Sequence, residues 1–309
     1  MVSLNDVAKA AHVSKMTVSR VLNHPELVSP EIKHDVKQAI AALGYTQNRA
    51  GRALANHRHY NIAFVILDDI DDIEPYYAHL LMHLTDELRQ YGFTIEMRHD
   101  RQFDTTNVDG FLVSGARQTD IAALQLDVPV VIYGMEPNVV SVDIDNQAGT
   151  AMATNYLLKQ GYQQLLYIGL AIDEPFAFNR RKGYCQTMST HNLPLDAHEI
   201  ANNEHQAERF VASLDLHPNT GIIAATDRLA LGAIRGIRHH NLTVPGDVGV
   251  IGFDGIYLHK MSSPTLTTIQ QPLKTIAERM VALLLAQLNG ETVTSELIPP
   301  ALVIGESTR

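Results

Sequence analysis

The chain has 309 residues, of which 45% are hydrophobic and 19% are charged, and its formal net charge is −10. This length and composition suit a globular protein of two or three domains and exclude global disorder. A single cysteine excludes an intramolecular disulfide. The apolar runs are far shorter than the roughly 20 residues of a membrane span, and the N-terminal sequence does not resemble a signal peptide. We therefore expect a soluble cytoplasmic protein with no membrane partner.

The charge is unevenly distributed along the chain. Residues 1–58 contain eight Lys and Arg side chains against four acids, a balance of +4, which leaves −14 for the rest. This asymmetry suggests a nucleic-acid-binding head on a body that repels phosphate. Chance variation of surface residues would explain the charges alone equally well.

The first segment, LNDVAKAAHVSKMTVSRVLN, predicts two short helices joined by a tight turn. Ser14 is a suitable N-cap for the second helix. The apolar positions recur at helical spacing. On the first helix they are Leu4, Val7, Ala8 and Ala11, and on the second Val18, Val21 and Leu22.

A third helix is predicted in SPEIKHDVKQAIAALGY. Ser29 is its N-cap, Pro30 takes the first helical position and Gly44 ends it. The second helix exposes polar residues at its N-terminal part, which is the part that a helix-turn-helix inserts into the major groove of DNA. An ordinary helical bundle with a polar face is the alternative.

From residue 61 onward, strand-like runs such as NIAFVIL, VPVVIYG and DVGVIGFD alternate with helical runs. Continuous apolar strands separated by helices predict a parallel sheet covered on both faces. About 250 residues of this pattern are expected to divide into two lobes. Ligands of such sheets bind beyond the carboxyl ends of the strands, so the loops that follow strands are the candidate ligand contacts.

Four motifs together resemble the LacI/GalR family of bacterial transcriptional repressors. They are LNDVAKAAHVSKMTVSRVLN, NRAGRAL, DIDNQAGTAMATNYLLKQGY and the series DRLALGAIRGI, VPGDVGVIGFDGI and SPTLTTIQQP. The resemblance covers nearly the whole chain. It implies an α/β fold with an N-terminal all-α helix-turn-helix head and a two-lobed, periplasmic-binding-protein-like α/β sensor body.

The resemblance also implies domain limits. Residues 1–47 form the DNA-binding head, 48–58 a hinge helix, and 59–309 the effector-binding and dimerisation body. The first lobe of the body comprises about 60–161 and 271–296. The second lobe comprises about 162–270 and 297–309.

By that resemblance the second helix reads base edges with Lys15, Met16 and Arg20. Arg20 or Lys15 would donate to guanine, whereas Met16 offers only an apolar contact, for instance to a thymine methyl. Phosphate contacts position a helix without specifying sequence. The residues better placed for them are Ser14, Thr17, Ser19 and Asn23. The family binds a pseudo-palindromic operator in double-stranded DNA as a homodimer.

The hinge helix of this family folds when two copies lie side by side in the minor groove. Leu54 matches the residue that wedges between the central base pairs, with Ala53 beside it. Asn48 and Arg49 would lie against the DNA backbone. Gly51 weakens the helix by roughly 0.5–1 kcal/mol relative to alanine, which suits folding that is coupled to binding. A plain solvated linker is the alternative.

Two residues carry the main effector prediction. Arg180 in FNRRKGY and Asp254 in VIGFDGI match an arginine and an aspartate that face the effector in the family. Fixed donors opposite a carboxylate suit a sugar or another polyol. A surface arginine, with Arg181 as competitor, and a helix-capping aspartate are the alternatives.

Five further residues are weaker candidates for the effector site. Tyr76 or Tyr77 could stack on a sugar ring or simply pack in the core. Phe176 and Phe178 are candidates of the same kind. Thr226 stands where the family more often has asparagine.

The sequence departs from the family between TIEMRH and VDGFLV, where only residues 100–107 intervene. Relatives usually have a strand end, a loop and a helix there. We therefore expect the first lobe to lack one helix, which leaves a sheet face exposed or covered by a neighbour. No heptad-repeat tail follows Arg309, so a dimer is expected rather than a tetramer.

Other chemistries lack their core parts. There is no P-loop, no nucleophile elbow and no dinucleotide-binding fingerprint, and the histidine pairs have no partners at zinc spacing. We expect no cofactor, no metal and no catalytic activity. The remaining alternative to a repressor is a sugar-binding protein or a sugar-acting enzyme on the same fold.

Overall fold

The computed structural model describes residues 2–23, 27–45, 58–67, 76–99, 101, 103–120 and 122–309, with the side chains of Asn23 and Gln118 left aside. The chain divides into two compact units, residues 1–60 and residues 61–309. Most of the predicted hinge, including Asn48, Arg49, Ala53 and Leu54, lies outside the described residues.

The described residues of the first unit form three helices. They are α1 (Leu4–Ala10), α2 (Lys15–Asn23) and α3 (Pro30–Leu43). Their ends follow the capping residues of the sequence: the Ser14 hydroxyl accepts a hydrogen bond from the Thr17 amide at 3.0 Å, and Gly44 ends α3 in the left-handed conformation with φ of 59°. Ser3 and Asp6 add a reciprocal capping box at the start of α1.

The core of this unit joins the apolar stripes of the three helices. Val7, Val18 and Val36 are completely buried, one from each helix, and Tyr45 closes the cluster beyond α3. Burial of these small side chains fixes the angle between α1 and α2, so the polar face of α2 is left to solvent.

The second unit alternates strands and helices. Its strands are β1 (Asn61–Ile66), β2 (Thr94–Arg98), β3 (Gly110–Ser114), β4 (Val130–Tyr133), β5 (Ser141–Ile144), β6 (Gln164–Leu170), β7 (Ala197–Ile200), β8 (Thr220–Ala224), β9 (Val248–Asp254), β10 (Thr267–Gln270), β11 (Glu296–Ile298) and β12 (Ala301–Val303). Its helices are α4 (Tyr76–Gln90), α5 (Asn146–Lys159), α6 (Pro175–Thr190), α7 (Glu204–Ala212), α8 (Asp227–Arg238), α9 (Leu258–Met261) and α10 (Leu273–Leu288), with a 3-10 turn at Gln118–Asp120.

The strands form two six-stranded sheets, one in each lobe. The first sheet has the order β11-β5-β4-β3-β1-β2 and the second β12-β10-β9-β8-β6-β7. All pairs are parallel except β10 with β12. The two predicted lobes are therefore present, and the chain crosses between them three times.

No helix of the described residues is a candidate membrane span. None of these helices combines the length and the hydropathy that a span requires.

The limits of the lobes differ from the prediction at two crossings. Helix α5, assigned above to the first lobe, packs on the second: Ala153 and Leu157 lie in the core cluster of the second sheet. A Cβ on Gly183 of α6 would meet the carbonyl oxygen of Gln147 at 2.2 Å, which shows how closely α5 and α6 approach. The first crossing is therefore near residue 145 instead of 161.

The last crossing is also shifted. Strand β11 pairs with β5 of the first sheet up to Ile298, so residues 297 and 298 belong to the first lobe and not to the second. Pro299 and Pro300 follow, and neither has an amide proton with which to continue the ladder. The crossing at 270–271 lies where it was predicted.

The expected absence of a helix between β2 and β3 agrees with the structure, which has none in the described part of residues 99–109. The sheet face is nevertheless buried, because the loops of the same chain cover it. Phe103 packs edge-on against Phe111 with ring centroids 5.7 Å apart, and Ala63 and Val65 beneath are completely buried. The expectation that this sheet face is exposed or covered by a neighbouring molecule was therefore wrong.

We predict that Phe103→Ala destabilises the second unit by about 1–3 kcal/mol, less than the roughly 3–5 kcal/mol of a fully buried phenylalanine because this ring is half-buried. Urea unfolding followed by circular dichroism measures the shift. Phe178→Ala is the matched control, since Phe178 is 65% exposed and should change stability by less than about 0.5 kcal/mol. Equal shifts in the two variants would contradict the packing role of Phe103.

Candidate functional site

The exposed face of α2 carries the three predicted base-reading side chains. Lys15, Met16 and Arg20 are all exposed, and Met16, an apolar residue, is 65% exposed. The opposite face, with Val18 and Val21, is buried in the core of the head. Two cations and a flexible thioether are thus presented to solvent from one rigid helix.

The N-terminus of α2 is suited to phosphate. Its first turn contains no acidic residue, so nothing there opposes an anion beside the helix dipole. Ser14 is exposed, whereas the Thr17 hydroxyl is half-buried and lies 2.9 Å from that of Ser14. Ser19 is half-buried as well.

The second unit contains a cleft of about 800 Å³ between its lobes. Both lobes contribute to it through the segments that follow their strands. These are residues 114–117 at the end of β3, 133–136 at the end of β4, 170–176 at the end of β6, 201–203 after β7, Thr226 and Arg228 after β8, and Asp254 at the end of β9. The cleft is therefore at the carboxyl ends of both sheets, as the strand pattern predicted.

Arg180 lies in the floor of this cleft and is only 4% exposed. Its Nε donates to Asn146 Oδ1 at 2.8 Å and its Nη1 to the carbonyl of Ala225 at 2.6 Å. The guanidinium stacks on the ring of Phe253, 3.6 Å from the centroid. Nη2 makes no hydrogen bond to any described residue, so the group is fixed in place with donors still available to a ligand.

Asp254 is the acidic partner of Arg180 in the cleft. Its Oδ1 lies 3.7 Å from Arg180 Nη1 and accepts a hydrogen bond from Gln271 Nε2 at 2.7 Å. Its backbone φ of 127° is unusual for a residue with a side chain. Such strain, of order 1–3 kcal/mol, persists where the surroundings fix the residue for function.

A second carboxyl group supports Asp254 from behind. Asp227 accepts from the Thr268 hydroxyl at 2.6 Å and from the Gly255 amide at 2.9 Å. Burial, followed by repulsion from Asp254, raises the pKa of Asp227 well above its usual value. Asp227 is thus the buried member of the pair, whereas Asp254 lines the cleft.

The aromatic candidates separate into cleft and surface residues. Tyr76 and Tyr77 both line the cleft with rings 4.2 Å apart, but Tyr77 is buried whereas Tyr76 is half-buried. Phe176 lines the cleft beside Arg180, with 5.0 Å between guanidinium carbon and ring centroid. Phe178 does not line the cleft. It is two residues after Phe176 on α6, which places its side chain about 200° around the helix from that of Phe176, in solvent.

Thr226 lines the cleft, yet its hydroxyl is already engaged. It accepts from the Leu229 amide as the N-cap of α8, at 3.1 Å, and donates to Asn202 Oδ1 at 2.8 Å. The residue therefore has a structural role that its position in the sequence did not reveal.

Several cleft residues were missed by sequence reasoning. Tyr133, whose hydroxyl donates to Gln271, lies at the end of β4. Glu136 and Asp143 are buried acids of the same lobe, and burial raises the pKa of Asp143 to about 7. Their positions at strand ends were a usable signal, but residue type alone did not distinguish them from packed loop residues.

No metal centre accompanies these groups in the described ranges, where no three His, Cys, Asp or Glu side chains are placed to share an ion. The chemistry of the cleft is thus that of hydrogen-bond donors, acceptors and ring faces. Such a set binds and orients a polar molecule.

Comparison with known proteins places both units in one family. Residues 3–48 match the protein-family model for bacterial regulatory proteins of the lacI family, and residues 154–308 match the periplasmic binding protein-like domain. The uncharacterized HTH-type transcriptional regulator YvdE of Bacillus subtilis (strain 168) is 35% identical over the full length of both chains. The HTH-type transcriptional repressor CytR of Escherichia coli (strain K12) is 30% identical over 99% of this chain and 96% of its own.

Solved structures agree with this grouping. A complex of the transcriptional regulator CelR with cellobiose has a TM-score of 0.71 at 26% identity, covering 99% of this chain and 100% of that chain. The lac repressor dimer bound to operator and the anti-inducer ONPF has a TM-score of 0.72 at 24% identity, covering 99% of each chain, and supports the fold. Full-length relatives at 30% identity and above establish that this chain belongs to the LacI family of bacterial regulatory proteins.

Proposed function

We propose that this protein is a cytoplasmic transcriptional repressor whose affinity for an operator is controlled by a carbohydrate bound between its lobes. The observation that carries the proposal is the pairing of a buried, immobilised Arg180 with Asp254 at the floor of the cleft. This regulator acts as a homodimer, because one helix-turn-helix binds weakly and two of them match a pseudo-palindrome.

The head reads double-stranded DNA with the exposed face of α2. Arg20 or Lys15 donates to guanine in the major groove, and Met16 packs on a thymine methyl. The phosphate backbone is contacted by residues near the start and end of the helix. These are Ser14, Thr17, Ser19 and Asn23.

The cleft binds its ligand with complementary hydrogen-bonding groups. Arg180 Nη2 donates to a ligand oxygen, and the Asp254 carboxylate accepts from hydroxyl groups. Tyr76 and Phe176 offer ring faces to the apolar face of a sugar. That the CelR structure contains cellobiose supports a saccharide in this cleft too.

Control follows from the difference in affinity for the effector between two arrangements of the lobes. A ligand that contacts both lobes favours the arrangement in which both sets of contacts are made. Residues 48–58 connect the head to the first strand of the body, so a change in the body alters how two hinges meet in the minor groove. Asn48 and Arg49 contact backbone there, with Ala53 and Leu54 at the central step.

The alternative is a sugar-binding protein or a sugar-acting enzyme on the same fold. The curated relatives of matching length are regulators. In the cleft, Arg180 and Asp254 are paired with each other and held by further hydrogen bonds, as in a binding site. The experiments below distinguish the two, because only a repressor couples the cleft to DNA.

Removing the Arg20 side chain should cost about 1–3 kcal/mol of binding per half-site on the preferred sequence and relax the preference at that base pair. We expect this in titrations of a selected palindrome with a central CpG step, at two salt concentrations. Lys37→Ala, which removes one charge from an exposed position of α3, is the control and should preserve site preference. An unchanged preference in Arg20→Ala would remove the base-reading assignment.

For the hinge, Leu54→Ala should weaken binding to the palindrome far more than binding to a scrambled duplex. The reason is that a minor-groove wedge acts only where the duplex is opened at a specific step. Filter binding to both duplexes measures the two losses. Losses of equal size would defeat the wedge assignment.

For the cleft, Asp254→Asn should abolish the thermal stabilisation produced by a bound saccharide, since a carboxylate acceptor is replaced by an isosteric amide. Cellobiose and a panel of neutral mono- and disaccharides are the probes, followed by differential scanning fluorimetry. Arg180→Lys tests the opposite partner and should weaken the same response. Phe178→Ala, outside the cleft, should respond like the wild type, and shifts that survive both cleft substitutions would place the binding site elsewhere.

A further inference from the structure

The charged residues of the cleft are unbalanced toward the acidic side. Within the described lining, three arginines face five acids and no lysine or histidine is present. The arginines are Arg117, Arg180 and Arg228. The acids are Glu136, Asp143, Asp173, Glu174 and Asp254.

Each arginine of the lining is already matched with a carboxylate. Arg117 Nε lies 3.1 Å from Glu174 Oε1, and this pair joins the first lobe to the second. Arg228 Nη1 lies 3.4 Å from Glu204 Oε2. Arg180 has Asp254, as described above. Each positive charge of the cleft therefore has a carboxylate beside it before any ligand enters, although Arg180 Nη2 remains available as a hydrogen-bond donor.

Two acids of the first lobe lack such a match among the described residues. Asp143 accepts only from neutral donors, the Ile144 amide at 2.8 Å and Asn146 Nδ2 at 3.1 Å. Glu136 is 6% exposed and makes no hydrogen bond or ion pair to any described residue, although it lines the cleft. Burial alone raises its pKa, which is consistent with a carboxyl group that has no cation nearby.

The fold brings these two acids to the same edge of the first sheet. Strands β4 and β5 are neighbours with Tyr133 opposite Val142, so Asp143 is at the end of β5 and Glu136 in the loop just beyond β4. A ligand that reaches Arg180 and Asp254 from the second lobe meets this acidic edge on the other side.

We infer that Glu136 and Asp143 make the cleft selective for an uncharged, hydroxyl-bearing effector and exclude its phosphorylated counterparts. This inference rests on the proposed function of the cleft and specifies its ligand class. Glu136 supplies an acceptor for ligand hydroxyl groups. A phosphate needs positive charge that is not already offset by a carboxylate, and here it would enter a buried site beside two acids.

The test uses the full chain and matched ligands. Neutral mono- and disaccharides, cellobiose among them, and the corresponding 6-phosphates are titrated by isothermal calorimetry into the wild type, Glu136→Gln and Glu291→Gln. Glu291→Gln removes the same charge from an exposed position outside the cleft. We expect the wild type to bind a neutral sugar at least tenfold more tightly than its phosphate.

In Glu136→Gln we expect that ratio to fall about tenfold, partly through weaker binding of the neutral sugar, while Glu291→Gln keeps it. Asp143→Asn is a second variant, read only if its circular dichroism matches the wild type. A wild type that prefers a phosphate would overturn the inference and leave sugar binding intact. Identical ratios in Glu136→Gln and Glu291→Gln would overturn the role of Glu136. Binding of no saccharide of either class would reject the proposed function and the inference together.

Discussion

A buried guanidinium is the constraint around which the cleft is organised. Arg180 cannot remain charged inside the body without fixed partners. The chain supplies them from three places: Asn146 after the first crossing, the carbonyl of Ala225 after β8 and Asp254 at the end of β9. Stacking on Phe253 fills the remaining face. The protein's own contacts therefore fix the position of the guanidinium in the floor of the cleft.

A chain of hydrogen bonds and one ion pair runs around the floor of the cleft, and it begins and ends on the first lobe. Asn146 donates a hydrogen bond to Asp143 and accepts one from Arg180. Gln271 donates to Asp254 and accepts from the hydroxyl of Tyr133. Tyr133 and Asp143 lie on the paired strands β4 and β5, so the circuit is closed within the first lobe. It passes through two of the three crossings, at Asn146 and Gln271, so these two crossings are part of the floor of the cleft.

The sequence was sufficient where the signal is local. Ser14 and Gly44 gave the helix ends of the head correctly, and the strand ends indicated where the cleft lies. Arg180 and Asp254, which the resemblance to the family predicted, both line it. Assignment of α5 to a lobe failed because an apolar stripe does not say which sheet it faces. Phe178 and Thr226 were weaker effector candidates than the sequence suggested. Phe178 points into solvent, and the Thr226 hydroxyl caps α8 and donates to Asn202. The closure of the first lobe by Phe103 was missed because a loop carries no periodic signal.

The close contact of α5 with α6 at Gly183 has a mechanical consequence. Arg180 lies one turn before that glycine, and α5 begins immediately after the first crossing, so the two helices cannot slide past each other without a collision at the Gln147 carbonyl. Because interiors packed this closely deform little, we expect a shift of the guanidinium to move α5 and α6 together. We therefore expect any movement between the lobes at the three crossings, near residues 145, 270 and 299, and not within this helix pair.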